Sequence, residues 1–330
     1  MKAAVLKHYG GPIGIEVATV RDPSPQQGEV LIRVRAAALN HRDLFVMSGR
    51  YGDVQLPCIL GSDGAGEVAA LGAGVEGPAI GTPVVINPML NWGSDERSWG
   101  EGAAVLGAPT DGTFAQYIAV AQAQVFPKPA HLDFRSAAAL PLAGLTAYRA
   151  LRRGRVDSSD TLLLTGIGSG VQLAALGFAR DIGCTIVVTS SSDEKLERAK
   201  ELGAHEIVNY VRESDWDARI AKIGITVAID STGGDTLARV LTLVRTGGRV
   251  VIYGGTTGSA TIRPRDIFWS HLDVLGTSLG SPKDFAEMLE LTERGYTPII
   301  DSVVPLDDVV PAAERLASGK QFGKVVLECT

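Results

Sequence analysis

Glycines at 166, 168 and 170 follow an apolar run, Leu162–Leu163–Leu164, and lead into an alanine-rich run, VQLAALGFAR, with helical spacing. A buried strand that turns into a helix through glycines leaves the first backbone N–H groups of that helix pointing at open space. Those donors, with the helix dipole, favour a diphosphate. Glycine is needed there because a Cβ would hold the backbone away from the phosphates. The spacing departs from the full dinucleotide fingerprint: counted from Gly166 the last glycine falls on Val171, and from Gly168 on Leu173. A glycine-rich loop without a ligand is the competing reading of this stretch alone.

The next strand narrows the chemistry. This second buried run, Thr185–Ile186–Val187–Val188–Thr189, ends in Ser190, Ser191 and Ser192, followed by Asp193–Glu194–Lys195. A site for NAD places a carboxylate at the end of this strand to accept the ribose hydroxyls. Hydroxyls stand there instead, with Lys195 and Arg198 close behind. Hydroxyls and a cation suit a ribose 2′-phosphate, which a carboxylate would repel, so NADPH is the expected cofactor. The serines are also good N-caps for the next helix, and the two roles are compatible.

The elements that must position these groups fall into two blocks. Residues 1 to about 120 are rich in valine, glycine and proline. Strands are expected over Met1–Leu6, Glu29–Ala36, Ala65–Leu71, Pro83–Asn87 and Phe114–Val120, separated by turn formers. From about Asp133 the pattern changes. A helix over Ser136–Leu151, interrupted at Pro141 and Gly144, is followed by alternating strand and helix signals: 161–166, 171–182, 185–190, 193–202, 206–209, 215–222, 225–230, 235–244, 248–253 and 273–279. Such a βαβ series predicts a doubly wound parallel sheet, hence an α/β protein with a second, β-rich domain. Later helices are expected over Lys283–Arg294 and Pro311–Ala317, and a closing strand over Gly323–Glu328 that returns to the first domain.

Composition sets the outer bounds. The net charge of −6 argues against nucleic acid as a partner. No apolar run approaches about 18 residues without Gly, Pro or a charge, so no membrane helix is expected. The N-terminal MKAAVLKHYGG lacks a signal-peptide core. Three unpaired cysteines, at 58, 184 and 329, fit a reducing cytoplasm and leave almost no thiolate for a metal.

Several segments together resemble the medium-chain dehydrogenase/reductase superfamily: GSDGAGEVAALGAGV at 61–75, DGTFAQY at 111–117, AALPLAGLTAY at 138–148, SSSDEKLERAKELGAHEIVNY at 190–210 and QFGKVVLE at 321–328. The resemblance covers essentially the whole chain and points to the zinc-free quinone oxidoreductase-like branch. It implies a GroES-like substrate domain over 1–121, with 280–330 returning to it, and a Rossmann NADP-binding domain over 122–279, with catalysis in the cleft between them. It also implies a homodimer paired through the strand 273–279.

The same resemblance speaks to metal. Zinc-dependent members carry ligands where this chain has Asn40, Ser62–Asp63 and Leu142, and a structural zinc where it has the cysteine-free stretch 88–107. Asn, Ser and Leu offer no thiolate or imidazole, so both zinc sites are expected to be absent. Trp92 and Trp99 in that stretch read as packing residues of a surface excursion. Without a Lewis acid, alcohol oxidation is hard, whereas reduction of a quinone or an α,β-unsaturated carbonyl needs only hydrogen-bond donors and a proton source.

The catalytic candidates are Asn40, His41, Asp43 and Tyr51. Asn40 would hydrogen-bond the substrate oxygen or the nicotinamide ribose, Asp43 would orient its neighbours, Tyr51 would stack on or protonate the acceptor, and His41 would relay a proton. Phe45 stands where some quinone reductases have a second tyrosine, and Arg42 where zinc enzymes have a relay hydroxyl. For the cofactor, the resemblance implies Thr146 at the helix start near the nicotinamide, and Gly166, Gly168, Ser169, Gly170 and Val171 at the diphosphate. Ser190, Ser191 and Lys195 would take the 2′-phosphate, and Tyr210 would lie beside the adenosine. Tyr253, Gly254 and Thr256 would face the nicotinamide, Ser278 its carboxamide, and Lys324 a cofactor phosphate. Surface packing is the competing reading for Tyr210 and Lys324. The expected function is an NADPH-dependent reductase of quinones or enones. The alternatives are a zinc-free alcohol dehydrogenase and a protein that binds NADPH without turnover. The loops 44–58 and 88–110 set the pocket's shape and hence its substrate.

Overall fold

The computed structural model describes every residue except Asp53, so the sequence expectation for 44–58 lies outside the described residues at that one position. The chain divides into two compact units, Met1–Leu142 with Ser281–Thr330, and Ala143–Gly280.

The first unit is built on the strand Glu29–Ala38, whose alternate residues Val30, Ile32 and Val34 are buried. That period of two is what a half-buried pleated strand requires. It pairs antiparallel with Asp63–Leu71, with Tyr117–Ala121 and with the closing strand Lys324–Glu328. The full path runs Val125–Pro127, Pro83–Ile86, Asp63–Leu71, Glu29–Ala38, Lys324–Glu328, Ile300–Pro305. Register matters here. Ala38 sits opposite Asp63 on one side and opposite Val326 on the other. The residues after Ala38 are therefore flanked by the first residues of both neighbouring strands. Leu6, Ile32, Leu39, Met47, Ile86 and Phe114 fill the core beneath.

The second unit is a six-stranded parallel sheet in the order Glu206–Asn209, Thr185–Ser190, Thr161–Leu164, Ile225–Asp230, Val244–Ile252, Asp273–Gly276. Its inner strands are apolar on both faces: Leu163, Val187, Ala228 and Val250 are fully buried on one, and Leu162, Ile186 and Val227 on the other, as a sheet covered by helices on both sides demands. The strand order reverses between Thr161–Leu164 and Ile225–Asp230, the place where such sheets open a crevice at their carboxyl ends.

Most of the expected elements are present, with differences at their ends. The break at Pro141 separates two helices, Phe134–Ala138 and Pro141–Arg153, because proline fits a first helical position. Gly144 does not interrupt the second of these. The last parallel strand stops at Gly276 rather than 279. Further elements lie outside the sequence expectations, among them the strands Ile15–Thr19, Val125–Pro127 and Ile300–Pro305 and the helices His41–Met47 and Pro264–Phe268. The helix His41–Met47 takes up the start of the expected loop 44–58 because Asn40 and Asp43 form a capping box. Among the described residues no helix is long and apolar enough to cross a membrane.

Candidate functional site

In the second unit the glycine turn has the geometry an anion needs. Gly166 and Gly168 have φ of 65° and 120°, conformations that side-chain-bearing residues rarely adopt. Ser169 caps the helix Gly170–Ile182 by accepting from the Gln172 N–H at 3.2 Å. The turn is braced from below: the Thr165 hydroxyl donates to buried Asp230 at 2.6 Å, and the other Asp230 oxygen accepts from the Gly233 N–H at 2.9 Å. The Tyr253 hydroxyl lies buried beside those of Ser169 and Ser231, yet no hydrogen bond of good geometry closes it. Burial pushes that phenol up to about 12, so it stays protonated and remains a donor. The Thr277 hydroxyl, next to Ser278, is likewise buried and unpartnered. A glycine turn, a helix start and orphaned hydroxyls fit a dinucleotide. Gly254 and Thr256 are exposed past the end of the strand Val244–Ile252, and Val171, half-buried, is the second residue of the helix Gly170–Ile182. Thr146 is buried in the second turn of its helix, not at the start, because Pro141 opens that helix five residues earlier.

At the adenosine side, Ser190 is buried and its hydroxyl accepts from the Ser192 N–H at 3.1 Å. Ser192, not Ser190 or Ser191, caps the helix Asp193–Glu201, through the Lys195 N–H. This leaves Ser191 exposed. Tyr210 is partly exposed and tilts against Trp216 at 6.4 Å between ring centroids. Both rings line a cavity of about 120 Å³ with Thr165, Thr189, Asp235 and Arg239.

In the first unit Asn40, Asp63 and Lys324 form one buried cluster. Lys324 is 5% exposed, so it is not a surface residue. Its ammonium donates to Asn40 Oδ1 at 2.6 Å and to Asp63 Oδ2 at 2.8 Å. Asn40 Nδ2 donates to the same Asp63 oxygen at 3.0 Å and weakly to the Ala38 carbonyl at 3.4 Å. Asp63 Oδ1 accepts from the Leu142 N–H at 2.7 Å. With both Nδ2 hydrogens engaged, Asn40 can accept from a ribose hydroxyl through Oδ1 but has no strong donor left for a substrate oxygen. His41 opens the helix His41–Met47, and Asp43 closes its capping box by accepting from the Asn40 N–H at 2.8 Å. Tyr51 stands apart from the cluster, stacked on the Arg42 guanidinium at 4.5 Å.

Arg42 is the site residue that sequence reasoning undervalues. Its guanidinium is buried and donates to the carbonyls of Val105, Leu106 and Ala108 and to the Ser62 hydroxyl at 3.2 Å. The Asp63–Lys324 pair is equally hidden, since 261 positions separate its members.

These donors do not fit a zinc ion. Ser62 is covered by Arg42, Asp63 by Lys324, and Leu142 offers only a backbone N–H already given away. Among the described residues no group of three His, Cys, Asp or Glu side chains could hold a metal. The stretch 88–107 is held by other means. Met89–Leu90 pairs with Ala104–Val105, buried Trp92 meets Trp99 edge-on at 6.3 Å, and Glu96 accepts from Ser281 at 2.5 Å.

Burial raises the Asp43 carboxyl to about 6, against the opposing pull of Arg42, the Asn40 N–H and Lys324, with Asp63 adding to the rise. Its Oδ1 has no partner. The native state therefore binds this proton more tightly than the unfolded chain. The group costs nothing below about pH 4, and stability is lost as pH rises through about 6. Asp43→Asn is expected to be the more stable form above pH 6, by up to about 3 kcal/mol, with the advantage gone near pH 4. Urea melts at both pH values test this, and a difference that does not change with pH would contradict it.

Two family models match the chain: an alcohol dehydrogenase GroES-like domain over residues 26–130, and a zinc-binding dehydrogenase domain over 170–294. The chain is 36% identical to the zinc-type alcohol dehydrogenase-like protein YogA of Leptosphaeria maculans, over 98% of this chain and 97% of that protein. It is 31% identical to a quinone oxidoreductase of Rattus norvegicus, over 99% and 97%. Among solved structures, an NAD-dependent alcohol dehydrogenase superposes with a TM-score of 0.95 at 37% identity, covering 99% of both chains.

Proposed function

The chain belongs to the medium-chain dehydrogenase/reductase superfamily, and from that premise we propose that it is an NADPH-dependent, zinc-independent reductase of quinones or α,β-unsaturated carbonyls. That it is an oxidoreductase follows from the family, whose members use nicotinamide nucleotides. The observation that supports its zinc-independent part is the cluster in the first unit, where two side-chain cations cover the groups that would have to ligate a metal.

Gly166, Gly168, Ser169, Gly170 and Val171 would hold the diphosphate, Ser190, Ser191 and Lys195 the 2′-phosphate, and Tyr210 the adenosine. Tyr253, Gly254, Thr256, Thr146 and Ser278 would hold the nicotinamide end. The reduced nicotinamide, when bound, supplies hydride. The chain's own task is then to position the acceptor and to meet charge that develops on its oxygen. Tyr51, whose ring rests on the Arg42 guanidinium, suits stacking against a flat acceptor. His41 is the proposed proton relay. Lys324 and Asp63 hold Asn40 rigid, which favours an accepting role toward a ribose hydroxyl.

The test is NADPH and NADH oxidation measured against quinones, enones, aldehydes and alcohols, before and after chelation. Turnover of quinones or enones that survives chelation is expected, and Lys195→Ala should weaken NADPH much more than NADH. Activity that disappears on chelation and returns with zinc would end this reading. The names of relatives favour a second reading, an alcohol dehydrogenase, which with the donors present here would have to work without zinc. Alcohol-dependent NADP reduction after chelation would favour it over the first.

A further inference from the structure

The serine-lined end of the strand Thr185–Ser190 invites a 2′-phosphate, yet the helix beside it opens with two carboxylates, Asp193 and Glu194. A bare carboxylate there would repel the phosphate. Asp193 is not bare. Its Oδ1 accepts from Asn209 Nδ2, and its Oδ2 is paired with the Arg212 guanidinium.

Asn209 is buried at the end of the neighbouring strand Glu206–Asn209. Its Oδ1 accepts from the N–H groups of Val211 at 3.0 Å and Arg212 at 3.2 Å, and Nδ2 also reaches the Ser191 carbonyl at 3.4 Å. The Tyr210 N–H donates to the Ser190 carbonyl at 3.2 Å. One amide thus ties the turn that carries Tyr210 and Arg212 to the turn that carries the serines. The Arg212 side chain is 76% exposed, so packing does not account for its place. An exposed ion pair contributes little to stability either. The guanidinium has five N–H donors, and Asp193 engages one side of it.

We propose that Arg212 is a cofactor-selectivity residue: it neutralises Asp193 and offers its remaining donors to the 2′-phosphate of the nucleotide. The proposal rests on the NADPH reading and adds a residue to it. Binding of 2′,5′-ADP and of 5′-AMP to the full chain, measured by titration calorimetry, separates the two claims. A wild-type protein that shows no preference for 2′,5′-ADP overturns the NADPH reading itself. Given that preference, Arg212→Ala should weaken 2′,5′-ADP about tenfold, the scale of one charge-assisted contact, and leave 5′-AMP within about twofold. Adding Asp193→Asn to Arg212→Ala should restore part of the lost affinity, because the exposed repulsion is gone. Equal losses for both nucleotides, or no loss for either, would overturn the role of Arg212.

Discussion

Lys324→Met is expected to destabilise the protein by about 3–5 kcal/mol, the usual consequence of stranding one member of a buried ion pair. Asp63 is fully buried, and without the ammonium its Oδ2 keeps only the Asn40 amide. Asp63→Asn combined with Lys324→Met removes the stranded charge, and about half of the loss or more should return. Urea denaturation of the two variants beside the wild type measures both effects. A single variant within about 1 kcal/mol of wild type would mean that the pair is not buried as described.

If the chain takes NADPH as proposed, Ser190→Asp is expected to invert its nucleotide choice. The residue sits buried at the end of its strand, where a carboxylate accepts ribose hydroxyls but faces any 2′-phosphate. Two like charges about 4 Å apart near a protein surface repel by about 4 kcal/mol, so the NADPH-to-NADH ratio of kcat/KM should fall roughly a thousandfold. The measurement is steady-state turnover with both nucleotides. An unchanged ratio would remove Ser190 from the phosphate site, while loss of both activities together would point to damage in the turn.

The two units are unequally legible in the sequence. The parallel sheet announces itself because strands buried on both faces read as unbroken apolar runs, such as Leu162–Leu164 and Val187–Val188, each bounded by turn formers. The glycine turn is legible for the same reason: positive φ leaves glycine as the residue of choice. Ile300–Pro305 is not legible, since Asp301 and Ser302 interrupt its apolar pattern and its place is set by a parallel partner, Lys324–Glu328. The cluster of Asn40, Asp63 and Lys324 is half legible. Each residue stands at a position the family resemblance marks, but their convergence depends on the register of three strands that meet at Ala38. Arg42 reads in the sequence as the loss of a relay hydroxyl. Only the fold brings the carbonyls of 105–108 within its reach and turns it into the anchor of that loop. Asn209 gives no signal at all, because a buried amide that joins two turns has no local signature.

The register at Ala38 also bears on how the molecule is made. Glu29–Ala38 is synthesised before Ala143–Gly280, while its neighbour Lys324–Glu328 follows almost 300 positions later, after all of Ala143–Gly280. The nascent chain can therefore complete its parallel sheet while the earlier strand still waits for one flank, and domains do tend to fold as units during synthesis. Until translation reaches Lys324, its ammonium is absent from beside Asp63, so this ion pair closes only after all of Ala143–Gly280 has been made.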